Sequence, residues 1–223
     1  MCTATGDTGC SVCDPSCTEC SGPTPTECTS CPSGNPPVSG ECLPGCTLTP
    51  KAGCRLPFVG LKSSLTIKDN ALDSKDQIKW KWVKGSATTV PEFGTPTDPL
   101  SDDGYYLCVY NAGARVSSTF LPPGGTCGTK PCWKTKSTGF AYKDKDLTPD
   151  GALSATLKAG IDGKAQAKVV AKGLNVDTPD ITTFTTGPIV VQLQREDAAI
   201  CFQANFSSPF KKNENGTFND KAD

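Results

Sequence analysis

Cysteine is spread so unevenly along this chain that it constrains the fold before any other feature does. Ten of the fourteen cysteines fall in residues 1–54, and six of those lie in the stretch "CSVCDPSCTECSGPTPTECTSC" between Cys10 and Cys31. The other apolar side chains of that segment are Met1, Ala4, Val12, Val38, Leu43, Leu48 and Ala52. They are too few to bury the surface that a small domain needs, so covalent links must replace the missing core. From Arg55 onward the chain carries the aromatic and β-branched residues and is long enough for a hydrophobic interior. The expected organisation is therefore a cysteine-rich domain over 1–54 and a second domain over 55–223.

Three chemistries compete for the sulfurs. The pairs Cys10/Cys13, Cys17/Cys20 and Cys28/Cys31 have zinc spacing. Against zinc stand the even total, the absence of histidine, and four further cysteines scattered through the second domain. A redox Cys-x-x-Cys needs a thioredoxin-like strand before it, and none precedes these pairs. Disulfides account for density and parity together, which implies an oxidising, extracellular setting.

The order "CDPSCTECSGPTPTECTSCPSG...C", from Cys13 to Cys42, resembles the furin-like cysteine-rich repeat of proprotein convertases and growth-factor receptor ectodomains, with the likeness extending over residues 10–46. The resemblance implies a ladder of small modules with Cys13 joined to Cys20, Cys17 to Cys28 and Cys31 to Cys42. What it leaves over is Cys2 with Cys10 and Cys46 with Cys54. It also implies a spacer or contact surface, a rigid stalk in which short closed loops and Pro23, Pro25, Pro32, Pro36 and Pro37 do the ordering.

Beyond Pro57 the pattern changes to short runs of period-two alternation between Gly, Pro, Asp and Asn turns. In "IKWKWVKG" Ile78, Trp80 and Trp82 share one side while Lys79 and Lys81 line the other, which reads as a half-buried strand with a solvated lysine face. Eight further runs behave alike: "SSLTIKD", "YYLCVYN", "RVSSTF", "CWKTKSTGFAYKD", "LSATLKAG", "AQAKVVAKG", "PIVVQLQRED" and "AICFQANFSS". The expected fold class is mainly β, an antiparallel sandwich of jelly-roll or Greek-key type. Alternation turns Cys108 and Cys201 away from the core, which suits a bridge between them with a clip from Cys127 to Cys132 across "CGTKPC", and the other pairings of these four cysteines stay open. The whole of 57–223 resembles an uncharacterised domain that recurs in secreted proteins of myxobacteria-like environmental bacteria. That likeness implies export and a bacterial source, and no mechanism.

The candidate sites are few. A net charge of −1 with only three arginines argues against a nucleic-acid partner, and no apolar run is long enough to span a bilayer. Met1-Cys2 leads straight into polar sequence, so an exported chain of this kind is expected to have lost a leader or to be part of a longer protein. Without histidine there is no Ser-His-Asp or Cys-His arrangement. A carboxylate-pair glycosidase is the enzymatic alternative, but residues 55–223 hold just Glu92, Glu196 and Glu214, and the expectation is a protein without a catalytic site. Asp144, Asp146 and Asp150 before Gly151 form a candidate calcium loop, to be weighed against a Pro-Asp-Gly turn. Asp69, Asp73 and Asp76 pose the same choice. Trp133, between Cys132 and Lys134, is the candidate sugar-stacking residue, whereas Trp80 and Trp82 read as core. Asn205 and Asn215 head glycosylation sequons, the first inside a predicted strand. Together these features lead us to expect a secreted or cell-surface structural or binding protein that engages a protein partner or self-assembles, with a carbohydrate-binding module as the alternative.

Overall fold

The computed structural model describes residues 2–3, 19–21, 23, 27–30, 45–101, 103–185, 187–196 and 200–223. The chain divides into two compact units, Met1–Leu48 and Thr49–Asp223. In the first, β1 (Cys2–Thr3), β2 (Glu19–Cys20) and β3 (Cys28–Ser30) form an antiparallel sheet in that order. Cys20 is disulfide-bonded and fully buried. The expected bridges Cys13–Cys20, Cys17–Cys28, Cys31–Cys42 and Cys2–Cys10 lie outside the described residues.

The second unit is an antiparallel β-sandwich. Its chain order is β4 (Ser64–Lys68), β5 (Gln77–Gly85), β6 (Tyr105–Asn111), β7 (Ala114–Leu121), β8 (Thr126–Cys127), β9 (Lys130–Pro131), β10 (Trp133–Lys136), β11 (Gly139–Lys143), β12 (Ala152–Lys158), β13 (Ala165–Lys172), β14 (Ile189–Arg195), β15 (Cys201–Phe206), β16 (Lys212–Glu214) and β17 (Thr217–Lys221). One sheet has eight strands in the order β10-β11-β12-β13-β5-β4-β17-β16, and the other has four in the order β15-β14-β6-β7. The chain leaves the large sheet after β5 and again after β13, returning each time, so the two sheets are covalently interleaved.

Side-chain periodicity explains the layering. Ile78, Trp80 and Trp82 of β5 are fully buried while Lys79 and Lys81 are exposed, as alternation requires. Trp82 meets Phe202 of β15 at 4.9 Å between ring centroids, and Phe202 meets Phe93 at 5.8 Å. The core therefore lies between the sheets, closed by β5 on one side and β14–β15 on the other. In β6, by contrast, the outward-facing Tyr106, Cys108 and Tyr110 are buried as well.

Two cysteine expectations are corrected here. Cys54 is bonded to Cys201, so neither the Cys46–Cys54 nor the Cys108–Cys201 pairing holds. Cys46 and Cys108 are disulfide-bonded too. The reason for the second failure is geometric: β14 lies between β6 and β15. Two strand spacings come to roughly 10 Å, beyond the ~7 Å limit between Cα atoms of bridged cysteines. Bridging Cys201 draws Thr49–Cys54 into the sandwich unit, so the boundary lies six residues earlier than expected. The Lys51 N–H donates to Gln192 Oε1 at 2.9 Å, and Gln192 Nε2 donates to the Lys51 carbonyl at 2.8 Å, satisfying a fully buried amide. The Cys127–Cys132 clip forms as expected. No helix among the described residues is long and apolar enough to cross a membrane.

Candidate functional site

The clip end of the sandwich gathers most of the residues singled out in the sequence. Trp133 opens β10 directly opposite Tyr142 of β11, and that register turns its ring inward. It is 2% exposed, lies 5.1 Å from Tyr142 and 6.1 Å from Tyr105, and its indole N–H donates to the Pro122 carbonyl at 2.7 Å. Trp133 is therefore a core residue, and the sugar-stacking expectation is withdrawn.

The three aspartates of the expected calcium loop are spent on backbone. Asp144, 1% exposed, accepts the Asp146 N–H through Oδ1 at 2.8 Å and the Thr148 N–H through Oδ2 at 3.1 Å. Asp146 Oδ2 accepts from Gly128 N–H, and Asp150 Oδ2 from Phe120 N–H, each at 3.0 Å. Burial pushes the Asp150 carboxyl above the usual range, opposed by the Phe120 hydrogen bond. Each carboxylate thus ties down a different stretch of chain, which is the turn-stabilising use of aspartate. Among the described residues no three His, Cys, Asp or Glu side chains are grouped to hold a metal. For Asp144, Asp146 and Asp150, and equally for Asp69, Asp73 and Asp76, the turn reading describes what the carboxylates do. In the latter set Asp76 accepts from Asn70 N–H at 2.7 Å and from the Thr178 hydroxyl at 3.1 Å. Burial first, then the charges of Asp76, Asp180 and Asp73, raise Asp69.

Three recesses lined by described residues bear on function. One of about 380 Å³ opens beside the clip between Pro122, Cys132, Tyr142, Asp144 and Asp146. Burial raises the Tyr142 phenol, helped by the Asp144 charge, so it is a donor there and not a base. A second, of about 310 Å³, lies between Lys51, Arg55, Glu92, Ile200 and Cys201. There Arg55 Nη2 is bonded to Glu92 Oε1, and Arg195 Nη1 donates to the Glu92 carbonyl at 3.1 Å. The third, about 170 Å³, is sunk into the outer face of the eight-stranded sheet between Lys79, Lys81, Lys168, Ser154, Thr156 and Val170. The sequence showed Lys79 and Lys81 on one face of a strand. It could not show Lys168 beside them, because that depends on β13 pairing with β5.

Among the described residues, no hydroxyl lining these recesses is hydrogen-bonded to a carboxylate or a lysine. The chain has no histidine, and no described cysteine is free. Set against family models, curated proteins and solved structures, the chain matches none.

Proposed function

We propose that this chain is an extracellular, non-catalytic structural or binding protein in which disulfides, metal-free, hold a cysteine-rich segment and a β-sandwich. The observation that carries the reading is the state of the sulfurs: every described cysteine is bridged. Bridges that staple strands and loops persist in oxidising compartments and are reduced in the cytosol. The non-catalytic part is supported by the chemistry of the recesses, where Asp144 and Asp146 accept from backbone N–H groups and Glu92, which accepts from Arg55 and from the Thr89 N–H and hydroxyl, is held at about 2 and is a weak base. Peptide mapping of the purified protein after alkylation without reductant tests this. The expected result is no alkylated cysteine and a Cys54–Cys201 cross-linked peptide. Alkylated thiols throughout residues 1–54, or a stoichiometric transition ion released by acid, would overturn it.

A further inference from the structure

The register of the eight-stranded sheet lines up lysines that are far apart in the chain. One line across β10, β13, β5 and β17 holds Lys134, Lys168, Lys81 and Lys221, with Ala141, Thr156 and Ser64 between them. Two residues along, a second line holds Lys143, Lys79 and Lys212, spaced by Ser154, Val170, Thr66 and Asn219. Flanking lines add Lys172 with Lys68 on one side and Lys136 with Lys158 on the other. All are exposed except the half-buried Lys168. From strand spacing and rise, this field measures roughly 30 by 20 Å.

The sheet itself neutralises little of it. Its strands contain two carboxylates: Asp220 is buried on the inner side, and Glu214 faces the lysine side only at the edge strand, at the end of the Lys172–Lys68 line opposite Thr217. The ion pairs found among the described residues, Arg55–Glu92 and Arg195–Asp103, involve none of these lysines. Lys81 and Lys168 are direct cross-strand partners, an arrangement that destabilises a sheet. Stability alone would place threonine or glutamate at one of the two positions. An anion seated between them removes the repulsion.

The geometry points to this face as the binding surface for an extended anionic polysaccharide bearing repeated sulfate or carboxylate groups, an inference that rests on the extracellular reading above. The face is a pleated sheet, open along its length, and serine, threonine, asparagine and glutamine side chains between the lysines can hydrogen-bond sugar hydroxyls. The recess bounded by Lys79, Lys81 and Lys168 accepts one anionic group at the centre. Lysine, a point charge on a flexible stem, suits anionic groups presented at varied angles, whereas bidentate phosphate recognition favours arginine. The field has no arginine, and Trp80 and Trp82 of its central strand are buried on the other side, so bases find no stacking platform. It also lacks exposed large apolar side chains for insertion into a bilayer. Because the whole chain carries a net charge of −1, attraction to a polyanion must come from this local field and not from overall charge.

The test uses the disulfide-intact full chain on immobilised heparin (sulfate) and polygalacturonate (carboxylate) at about 0.15 M salt, with dextran as the neutral control. Saturable retention on either acidic glycan, weakening as salt is raised, is expected, and the better column identifies the anionic group. The triple variant K79Q/K81Q/K168Q should bind about tenfold more weakly. The variant K75Q/K130Q/K145Q, with the same change in charge in other parts of the unit, should bind like the parent. Single K168E, which leaves the sheet better paired, should also weaken binding and guards against misfolding of the triple variant. Equal losses in both triple variants, retention on dextran, or tighter binding to duplex DNA or to phosphatidylglycerol vesicles would overturn the inference. Intact disulfides without glycan retention would overturn it alone and leave the extracellular reading standing.

Discussion

Glu92 shows how a single side chain couples charge to the seating of a loop. Its carboxylate is held at about 2, chiefly by the hydrogen bond from Arg55 and then by the Thr89 N–H, against an ordinary value of 4.5. A carboxylate depressed in the folded state contributes stability above its unfolded pKa and loses it as pH falls through the folded value. The window for Glu92 is therefore between pH 4.5 and about 2. We expect the melting temperature to fall across that window, and E92Q to melt lower than the parent at neutral pH with the difference closing as pH 2 is approached. Glu92 is 38% exposed, so solvent screening keeps the effect small. The comparison with E92Q separates it from Asp150 and Asp69, whose raised values act with the opposite sign. A gap between the two proteins that stayed constant with pH would refute the assignment. Trp133 teaches the complementary lesson. Its neighbours along the chain, Lys134 to Lys136, are exposed, and nothing local says that the first residue of that strand faces inward. The partner strand decides it, by setting Trp133 opposite Tyr142.

At the level of strands, alternation was legible wherever one face was apolar. It located β5, β6, β13, β14 and β15, and it assigned Trp80 and Trp82 to the core. It missed the β16–β17 hairpin because "KKNENGTFNDK" buries little beyond Phe218 and Asp220. That hairpin exists by pairing with β4, from Thr217 opposite Lys68 to Lys221 opposite Ser64. The available signal was Asn215-Gly216, both at positive φ, the preferred pair for a two-residue hairpin turn. A Cβ on Gly216 would lie 2.2 Å from the Asp69 carbonyl, which explains why the glycine is needed. The lysine field was legible strand by strand and invisible as a field, since no strand reveals its neighbour. Its central pair supplies an element-scale prediction. Replacing Lys168 by glutamate converts a like-charge cross-strand pair into an opposite-charge one, worth about 0.2–1 kcal/mol. K168E should therefore unfold at higher urea concentration than the parent while losing affinity for acidic glycans. A K168E protein less stable than the parent would mean that Lys81 and Lys168 do not repel.

For the molecule as a whole, cysteine parity told that the sulfurs are oxidised, but pairing depended on which strands are neighbours. The short clip was legible because Cys127 and Cys132 are five residues apart and their loop fixes the partner. Cys54–Cys201 spans 147 residues and could not be chosen without knowing that β14 separates β6 from β15. The same difference in span predicts their weight in stability. If the bridges act on the unfolded chain, closing the long loop is worth about 5 kcal/mol and the short one about 2 kcal/mol. The long bridge also has native-state work: beside it, Arg55 N–H donates to the Cys201 carbonyl and Gln203 N–H to the Arg55 carbonyl, at 2.9 and 2.8 Å. Releasing Cys54 would loosen this short parallel bridge and the Lys51 contacts of buried Gln192. Urea unfolding of C54A/C201A and of C127A/C132A, measured without reductant, should therefore show the larger loss for the first pair. Near-equal losses would mean that Thr49–Arg55 stays seated on hydrogen bonds alone. The bridge would then matter for the unfolded chain less than its span implies.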